Sequence, residues 1–428
     1  MVTTAFVNIW GIRVGAIAWD SNTRLGSFEF DPSFKTKSID LAPIKMSIDS
    51  DRTIFSFPEL RNSSTFNGLP GLLADSLPDN YGNTLIDVWL AQQGRPPDSM
   101  NPVEKLCFIG SRGMGALEFE PAKFKKAKHT FSVDIDELVD LAQQILHERV
   151  GFHANLNVDE KRAMQDILKI GTSAGGMRAK AIIAYNEKTG EVRSGQTRVP
   201  SGFEHWLIKL DGVNDSTLGY PKGYGRIEMA YHMMAVDCGI EMMECRLFEE
   251  GDRAHFMTKR FDREGSETKH HIQTLCAMQH FDYHDVLSYS YEQLFQTMRI
   301  LRLPHPQAEQ MFRRMVFNIF GYNCDDHTKN FSFRLKEGKA WELSPAYDIT
   351  WSFDPSSQWV NQHALSINGK RRNITTDDML AIAKSIRVKN GKEIISQIRD
   401  IIDKWPSYAK QTGVSSKKTH ELYSVLKS

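Results

Sequence analysis

The spacing of apolar residues changes several times along the chain, and each change predicts an element. Ala5–Trp10 and Val14–Trp19 are short, largely apolar runs on either side of the turn Gly11-Ile12-Arg13, and Leu25–Phe30 follows. Runs of this length bounded by turn residues predict three short strands. The stretch from Leu69 to Gly94 begins with loop residues and becomes amphipathic, with Leu85, Val88, Trp89 and Leu90 on one side of a helix that Gly94 and Pro96-Pro97 close. Ala116–Glu120 reads as a strand and Ile135–Leu146 as a helix. Ala181–Tyr185 and His205–Leu210 predict strands, Arg226–Val236 a helix ending at Gly239, and His255–Arg263 a strand leaving into a connector. Tyr291–Ile300 and Pro306–Phe320 are helical. Phe331–Leu335 and Ala340–Leu343 predict a hairpin about Glu337-Gly338-Lys339, and the chain after residue 375 is mostly helical.

The chain has 428 residues, enough for two or three domains; 41% are hydrophobic and 25% charged, which describes ordinary globular protein. Lys plus Arg number 53, as do Asp plus Glu. A chain without net positive charge is a poor unaided binder of nucleic acid. The five cysteines form no C-x-x-C pair, so neither a zinc site nor a disulfide framework is expected, and a reducing, cytoplasmic setting fits. The apolar N-terminus resembles a leader in part, but Asn8 and Arg13 interrupt it and no basic region precedes it, so a strand pair is the expectation. No apolar run reaches the length of a membrane span. The basic run Lys123–Lys128 and the helix after it place a boundary near 125–160.

Two stretches are rich in glycine. Gly110–Gly115 leads into a strand, not the helix that a dinucleotide fingerprint needs, so it reads as a turn. Gly171–Gly176 is built of small residues whose N–H groups can approach an anion closely, and it too precedes a strand, as do loops that cover ATP phosphates in kinases. Lys209 then stands inside an apolar strand, where a lysine either meets phosphate or faces water at an edge. Glu228, early in the next helix, either pairs with such a lysine or favours the helix dipole.

The densest chemistry is Asp325-Asp326-His327-Thr328-Lys329-Asn330-Phe331. An antiparallel hairpin after it would fold Asp348 back toward Asn330 and Asp325. Two carboxylates and an amide oxygen suit magnesium-assisted phosphoryl transfer, because the ion takes hard oxygen ligands and leaves the rest to water and phosphate. Asp325 is assigned as base or orienting group, Asn330 and Asp348 as metal ligands, and His327 as a loop holder or γ-phosphate contact. The plain alternative is a surface turn with a capping acid and a solvated histidine.

In order, the chain carries a glycine-rich loop, a strand lysine, a helix glutamate, a hinge segment, D-x-H-x-x-N, a hairpin and an aspartate. This series resembles the HipA family of bacterial serine/threonine kinase toxins. The resemblance includes Leu77-Pro78-Asp79, Gly113–Leu117, Ser173–Lys180, His205–Lys209, Lys259–Arg263, Asp325–Phe331, Tyr347-Asp348 and Asn368–Arg371. It implies an α/β (α+β) class, with a two-lobed, protein-kinase-like or phosphoinositide-3-kinase-like fold behind a β-rich N-terminal domain. The corresponding division is 1–125, a helical connector 126–165, an N-lobe portion 166–262 and a helical C-lobe 263–428. It implies ATP and Mg2+, with Lys209 on phosphate, Lys259, Arg260 and Phe261 at the adenine, and Ser173, Ala174, Gly175, Gly176, Lys180 and Lys329 among the ATP-binding residues. It implies autophosphorylation of Ser173, although the loop Ala174–Lys180 departs from the best-known A-G-A-Q-E-K form. The implied partners are a small helix-turn-helix antitoxin like HipB, operator DNA through that antitoxin, and a protein substrate, with an aminoacyl-tRNA synthetase as one candidate. No membrane is implied. The competing readings are a small-molecule or lipid kinase and a catalytically weak operator co-repressor.

Overall fold

A computed structural model describes residues 2–123, 130–147, 171, 178–196, 198–213 and 223–427. The chain divides into two compact units. One comprises Met1–Lys222, Phe248–Ile272 and Lys336–Gly338; the other comprises Gly223–Leu247, Gln273–Leu335 and Lys339–Ser428.

The first unit opens with the expected strands: β1 Thr4–Ile9, β2 Ile12–Asp20 and β3 Leu25–Phe30, joined by β4 Ile54–Phe55 and β5 Leu117–Glu120 in the order β4-β3-β2-β1-β5. The N-terminal apolar stretch is therefore a strand pair, with Val7 opposite Gly15 and a bulge after Val7. Ala5, Val7, Ile9, Ile17 and Phe28 are buried. Gly15 is required for close approach of β2 to β3, since a Cβ there would stand 2.1 Å from the Glu29 carbonyl oxygen.

The second sheet contains β6 Lys180–Tyr185, β7 Val192–Ser194, β8 Glu204–Lys209, β9 Cys245–Glu250 and β10 Arg253–Lys259, in the order β7-β6-β8-β10-β9. Ala181, Ile183, Trp206, Ile208 and Met257 form one core with Leu85 and Trp89 of helix Asn80–Gln92 and with Leu138 and Ala142 of helix Ile135–His147. Asp79 starts the first of these helices by accepting the Gly82 N–H at 2.7 Å.

Three buried histidines are held neutral in this unit. His205 meets the Gly195 carbonyl, His255 accepts the Asp211 N–H, and His271 meets the Leu41 carbonyl. Burial lowers each of them to about 4. The unfolded chain, with ordinary histidines near 6.5, then binds more protons than the folded chain between those values, so folding stability falls as pH drops from about 6.5 toward 4. Urea unfolding across that range should show a declining midpoint whose slope is shallower in His271→Gln; a midpoint independent of pH there would contradict the neutral state.

The second unit is mainly helical. Tyr291–Ile300 begins with a capping box made by Ser290 and Gln293. His305–Phe320 buries Met311, Phe312, Met315, Val316 and Ile319, the spacing of one helical face. It packs on Gly391–Ile402, whose stripe is Ile394, Ile395, Ile398, Ile401 and Ile402. Strands Ser332–Leu335 and Trp341–Leu343 form the expected hairpin, with Phe333 opposite Leu343 and Leu335 opposite Trp341. All five cysteines are buried, and none forms a disulfide. Among the described residues no helix is long and apolar enough to cross a membrane.

Candidate active site

The apolar helix His305–Phe320 delivers the chain into the segment 323–331. This segment has few internal backbone hydrogen bonds and is pinned from outside. The Cys324 N–H donates to the Ser352 carbonyl at 3.0 Å, the Thr328 hydroxyl to the Phe281 carbonyl at 2.9 Å, and the Leu275 N–H to the Phe331 carbonyl at 2.8 Å. A single 3-10 turn, Thr328–Asn330, ends it. Asn330 Nδ2 donates to the Asp325 carbonyl at 2.8 Å. That bond fixes which way the amide is turned and leaves Oδ1, a hard acceptor, for another group.

The hairpin then returns the chain. The Ser344 N–H donates to the Ser332 carbonyl at 3.1 Å, and the Ala346 N–H to the Glu241 carbonyl at 2.8 Å. Arg314 Nη2 donates to the Ser344 carbonyl at 2.7 Å, and Tyr347 Oη to the Lys329 carbonyl at 2.8 Å. Asp348 sits in the left-handed region, at φ +52°. An aspartate there is uncommon, and such strained positions gather at functional sites. The result is a recess lined by Arg314, Asn318, Asn323, Asp326, Asn330 and Asp348, among others.

The structure thus brings Asn330 and Asp348 together. Asp325 contributes its carbonyl to Asn330, while its side chain is about half exposed (49%), with Oδ1 3.7 Å from His327 Nε2. His327 also lies beside the Tyr283 ring, 5.1 Å between centroids, and Lys329 Nζ lies 5.0 Å from the same ring. The carboxylate that lines the recess from this segment is Asp326, whose side chain is fully buried. Its Oδ1 accepts the Ala364 N–H at 2.7 Å, and its Oδ2 accepts the Tyr291 hydroxyl at 2.9 Å and meets His363 Nδ1 at 3.1 Å. Burial works against a charged imidazole, but the Asp326 charge and hydrogen bond, helped by Cys324, outweigh it and lift His363 to about 10. Burial brings the Arg314 guanidinium down to about 10, within reach of the Ser344 carbonyl only on one side, since its Nε has no partner. Neither Asp326 nor His363 was assigned a role from sequence. Asp326 had a signal, its place within the motif; His363 lies 37 residues away and had none.

A carboxylate and an amide oxygen sharing one recess fit a magnesium ion that takes its remaining ligands from water and phosphate.

The other predicted residues lie in the first unit. Ser173, Ala174, Gly175 and Gly176 fall outside the described residues. Lys209 and Lys180 are register partners on β8 and β6, and Lys209 Nζ lies 5.8 Å from the Phe256 ring. Lys180 is buried with its Nζ 3.2 Å from Asp79 Oδ2. Lys259 pairs with Glu204. Arg260 does not present its guanidinium outward. It forks onto Asp262 at 2.9 and 2.6 Å in a fully buried pair, and its N–H donates to the His205 carbonyl. Any nucleotide contact from Arg260 would be through its main chain. Phe261 is half-buried beside it. Asp262 also accepts the Gly115 N–H at 2.7 Å, and Arg263 donates to the Gly113 and Gly115 carbonyls, so the Gly110–Gly115 stretch is a turn clamped by charge.

The sequence matches two family models: the HipA N-terminal domain over residues 5–120 and the HipA-like C-terminal domain over residues 172–405. No curated protein matches the chain. Among solved structures, HipA of Shewanella oneidensis MR-1, in a complex with HipB and operator DNA, is similar with a TM-score of 0.68 at 17% identity, over 99% of this chain and 95% of that one. Identity at that level speaks to fold alone, and the fold shared is the mixed α/β architecture described above. The Helicobacter pylori proinflammatory kinase CtkA is a more distant likeness, with a TM-score of 0.38 and 15% identity over 59% of this chain and 88% of that one, and carries no argument. With the C-terminal family model spanning more than half of its length and the N-terminal model spanning most of what precedes, this chain belongs to the HipA family.

Proposed function

We propose that this protein is an ATP-dependent serine/threonine protein kinase, the toxin of a HipBA-type toxin–antitoxin module. The observation that carries the reading is the recess in which Asn330, with its amide turned by the Asp325 carbonyl, and Asp348, at φ +52°, stand together. In this reading Asn330 Oδ1 and the Asp348 carboxylate hold magnesium. The ion, when bound, supplies charge neutralisation at the transferred phosphoryl group. Asp325, the more exposed carboxylate, orients the acceptor hydroxyl and takes its proton. The hydroxyl oxygen bonds to the γ-phosphorus, the bond to the β-phosphate oxygen breaks, and ADP leaves. Lys209 and Lys329 meet phosphate, and Ser173 is the site of self-modification.

The test is incubation of purified protein with radiolabelled Mg-ATP, alone and with cell lysate. Label should enter the chain at Ser173 and at least one lysate protein. Label found only in small molecules would instead support the small-molecule kinase.

The partner follows from charge. With 53 basic and 53 acidic residues, the isolated chain should bind DNA weakly, since phosphate contacts dominate such affinity. Operator binding is expected only with a small basic helix-turn-helix protein like HipB, the arrangement named for the Shewanella complex. A mobility-shift assay at physiological salt checks this. Tight, sequence-specific binding by the chain alone would overturn it.

A further inference from the structure

Beneath the recess lies a buried polar network that the kinase reading does not use. Asp326 is its centre. Its carboxylate is shared by the Ala364 N–H, the Tyr291 hydroxyl and His363 Nδ1. The Tyr291 hydroxyl, having donated to Asp326, accepts Asn318 Nδ2 at 3.0 Å. Asn318 Oδ1 accepts Asn323 Nδ2 at 3.0 Å, and the same amide lies 3.4 Å from the Asp348 carbonyl oxygen. Tyr291, Asn318, Asn323, Asp326 and His363 are all buried. We propose that His363 is a positioning residue for phosphoryl transfer: through Asp326 it holds the segment bearing Asp325 and Asn330, and through Tyr291, Asn318 and Asn323 the same network reaches the main chain of Asp348.

The proposal rests on the kinase reading and deepens it. Asp326 is adjacent in sequence to Asp325, so its attachment sets where that residue and the amide bonded to its carbonyl stand. The Asp348 backbone is in a conformation that an aspartate does not adopt by preference, and it is kept there by surrounding contacts, one of which is this network. A buried carboxylate needs a compensating charge. The Arg371 guanidinium is turned to the Ala364 and Tyr289 carbonyls and that of Arg314 to the Ser344 carbonyl, while His363 Nδ1 is 3.1 Å from Asp326 Oδ2, so the imidazolium is the cation hydrogen-bonded to Asp326. His363 does not line the recess; it acts as the outer partners of metal ligands do, by fixing what they are attached to.

The direct test is Mn2+ binding in the presence of ATP, followed by electron paramagnetic resonance. His363→Ala and Tyr291→Phe should each weaken Mn2+ binding about tenfold while the fold, checked by circular dichroism, persists. His363→Gln, which keeps a donor, should recover part of the loss and stands in if His363→Ala does not fold. In turnover the requirement for magnesium should rise, with nucleotide affinity in EDTA unchanged. His363→Ala placed on Asp326→Asn should add little, because both cut one link. Imidazole 15N spectra of the wild type should show a doubly protonated His363 at pH 8, and a neutral one in Asp326→Asn. Wild-type Mn2+ affinity in folded His363→Ala, or losses that add in the double variant, would overturn the proposal. Mn2+ binding that weakens in His363→Ala, in a wild type that transfers no phosphate, would sink the kinase reading while leaving the hold of His363 on the metal-binding recess intact.

Discussion

Replacing Asp348 by asparagine is expected to lower ATP-dependent phosphorylation on the order of a hundredfold or more, and Asp325→Asn to do the same for a different reason. Asp348 shares the recess with Asn330 and in the proposed reading holds the metal with it, so losing its charge should lower Mg-ATP affinity along with turnover. Asp325 has its side chain half exposed beside His327 and its carbonyl on the Asn330 amide. An asparagine keeps that backbone contact, so Asp325→Asn should bind Mg-ATP nearly as the wild type does and fail in transfer. Calorimetry of Mg-ATP binding beside a radiolabel assay separates the two. Transfer at the wild-type rate by either variant would remove its assigned role. Expression of the wild type should slow growth, and expression of either variant should not.

Asp262→Ala should destabilise the first unit by about 3–5 kcal/mol, the cost typical of breaking a buried charge pair from one side. Asp262 is fully buried between Arg260 and Arg263 and also accepts the Gly115 N–H. Burial alone would raise its carboxyl, but the two guanidinium charges hold it well below the usual carboxylate range. Its removal leaves two arginines buried side by side and frees the Gly113–Gly115 turn. The folded carboxyl titrates lower than the unfolded one, so its contribution is complete above the ordinary carboxylate pKa and is lost only as pH falls through the depressed value. The wild-type midpoint should therefore owe nothing to this group's titration near neutrality. Urea unfolding of the full chain measures the effect. A loss under about 1 kcal/mol would place the triad among ion pairs of little consequence.

The two effects illustrate different relations between sequence and site. The motif Asp325–Asn330 and the hairpin after it are local: apolar alternation in Phe331–Leu335 and Trp341–Leu343 sets the register, and the register determines that Asp348 returns toward Asn330. Arg260 shows the limit. A basic residue at the end of a strand reads the same whether its guanidinium reaches a ligand or a neighbouring carboxylate, and here it reaches Asp262. Lys180 likewise meets Asp79, which lies about a hundred positions earlier and serves as a helix cap.

What the sequence determined by itself is what depends on short range: strands from short apolar or alternating runs between turn residues, helices from one apolar face, the turn at Gly110–Gly115, the hairpin, and the family through the ordered series of motifs. These need only a residue and its near neighbours. The tertiary structure alone decided which of two adjacent aspartates faces the recess, that His363 is the cation beneath it, and that Arg260, Asp262 and Arg263 form a buried clamp on the glycine turn. Each of those depends on the free energy of burying a charge, which is high enough to demand a partner, and the partner is chosen by packing between segments that the sequence keeps far apart.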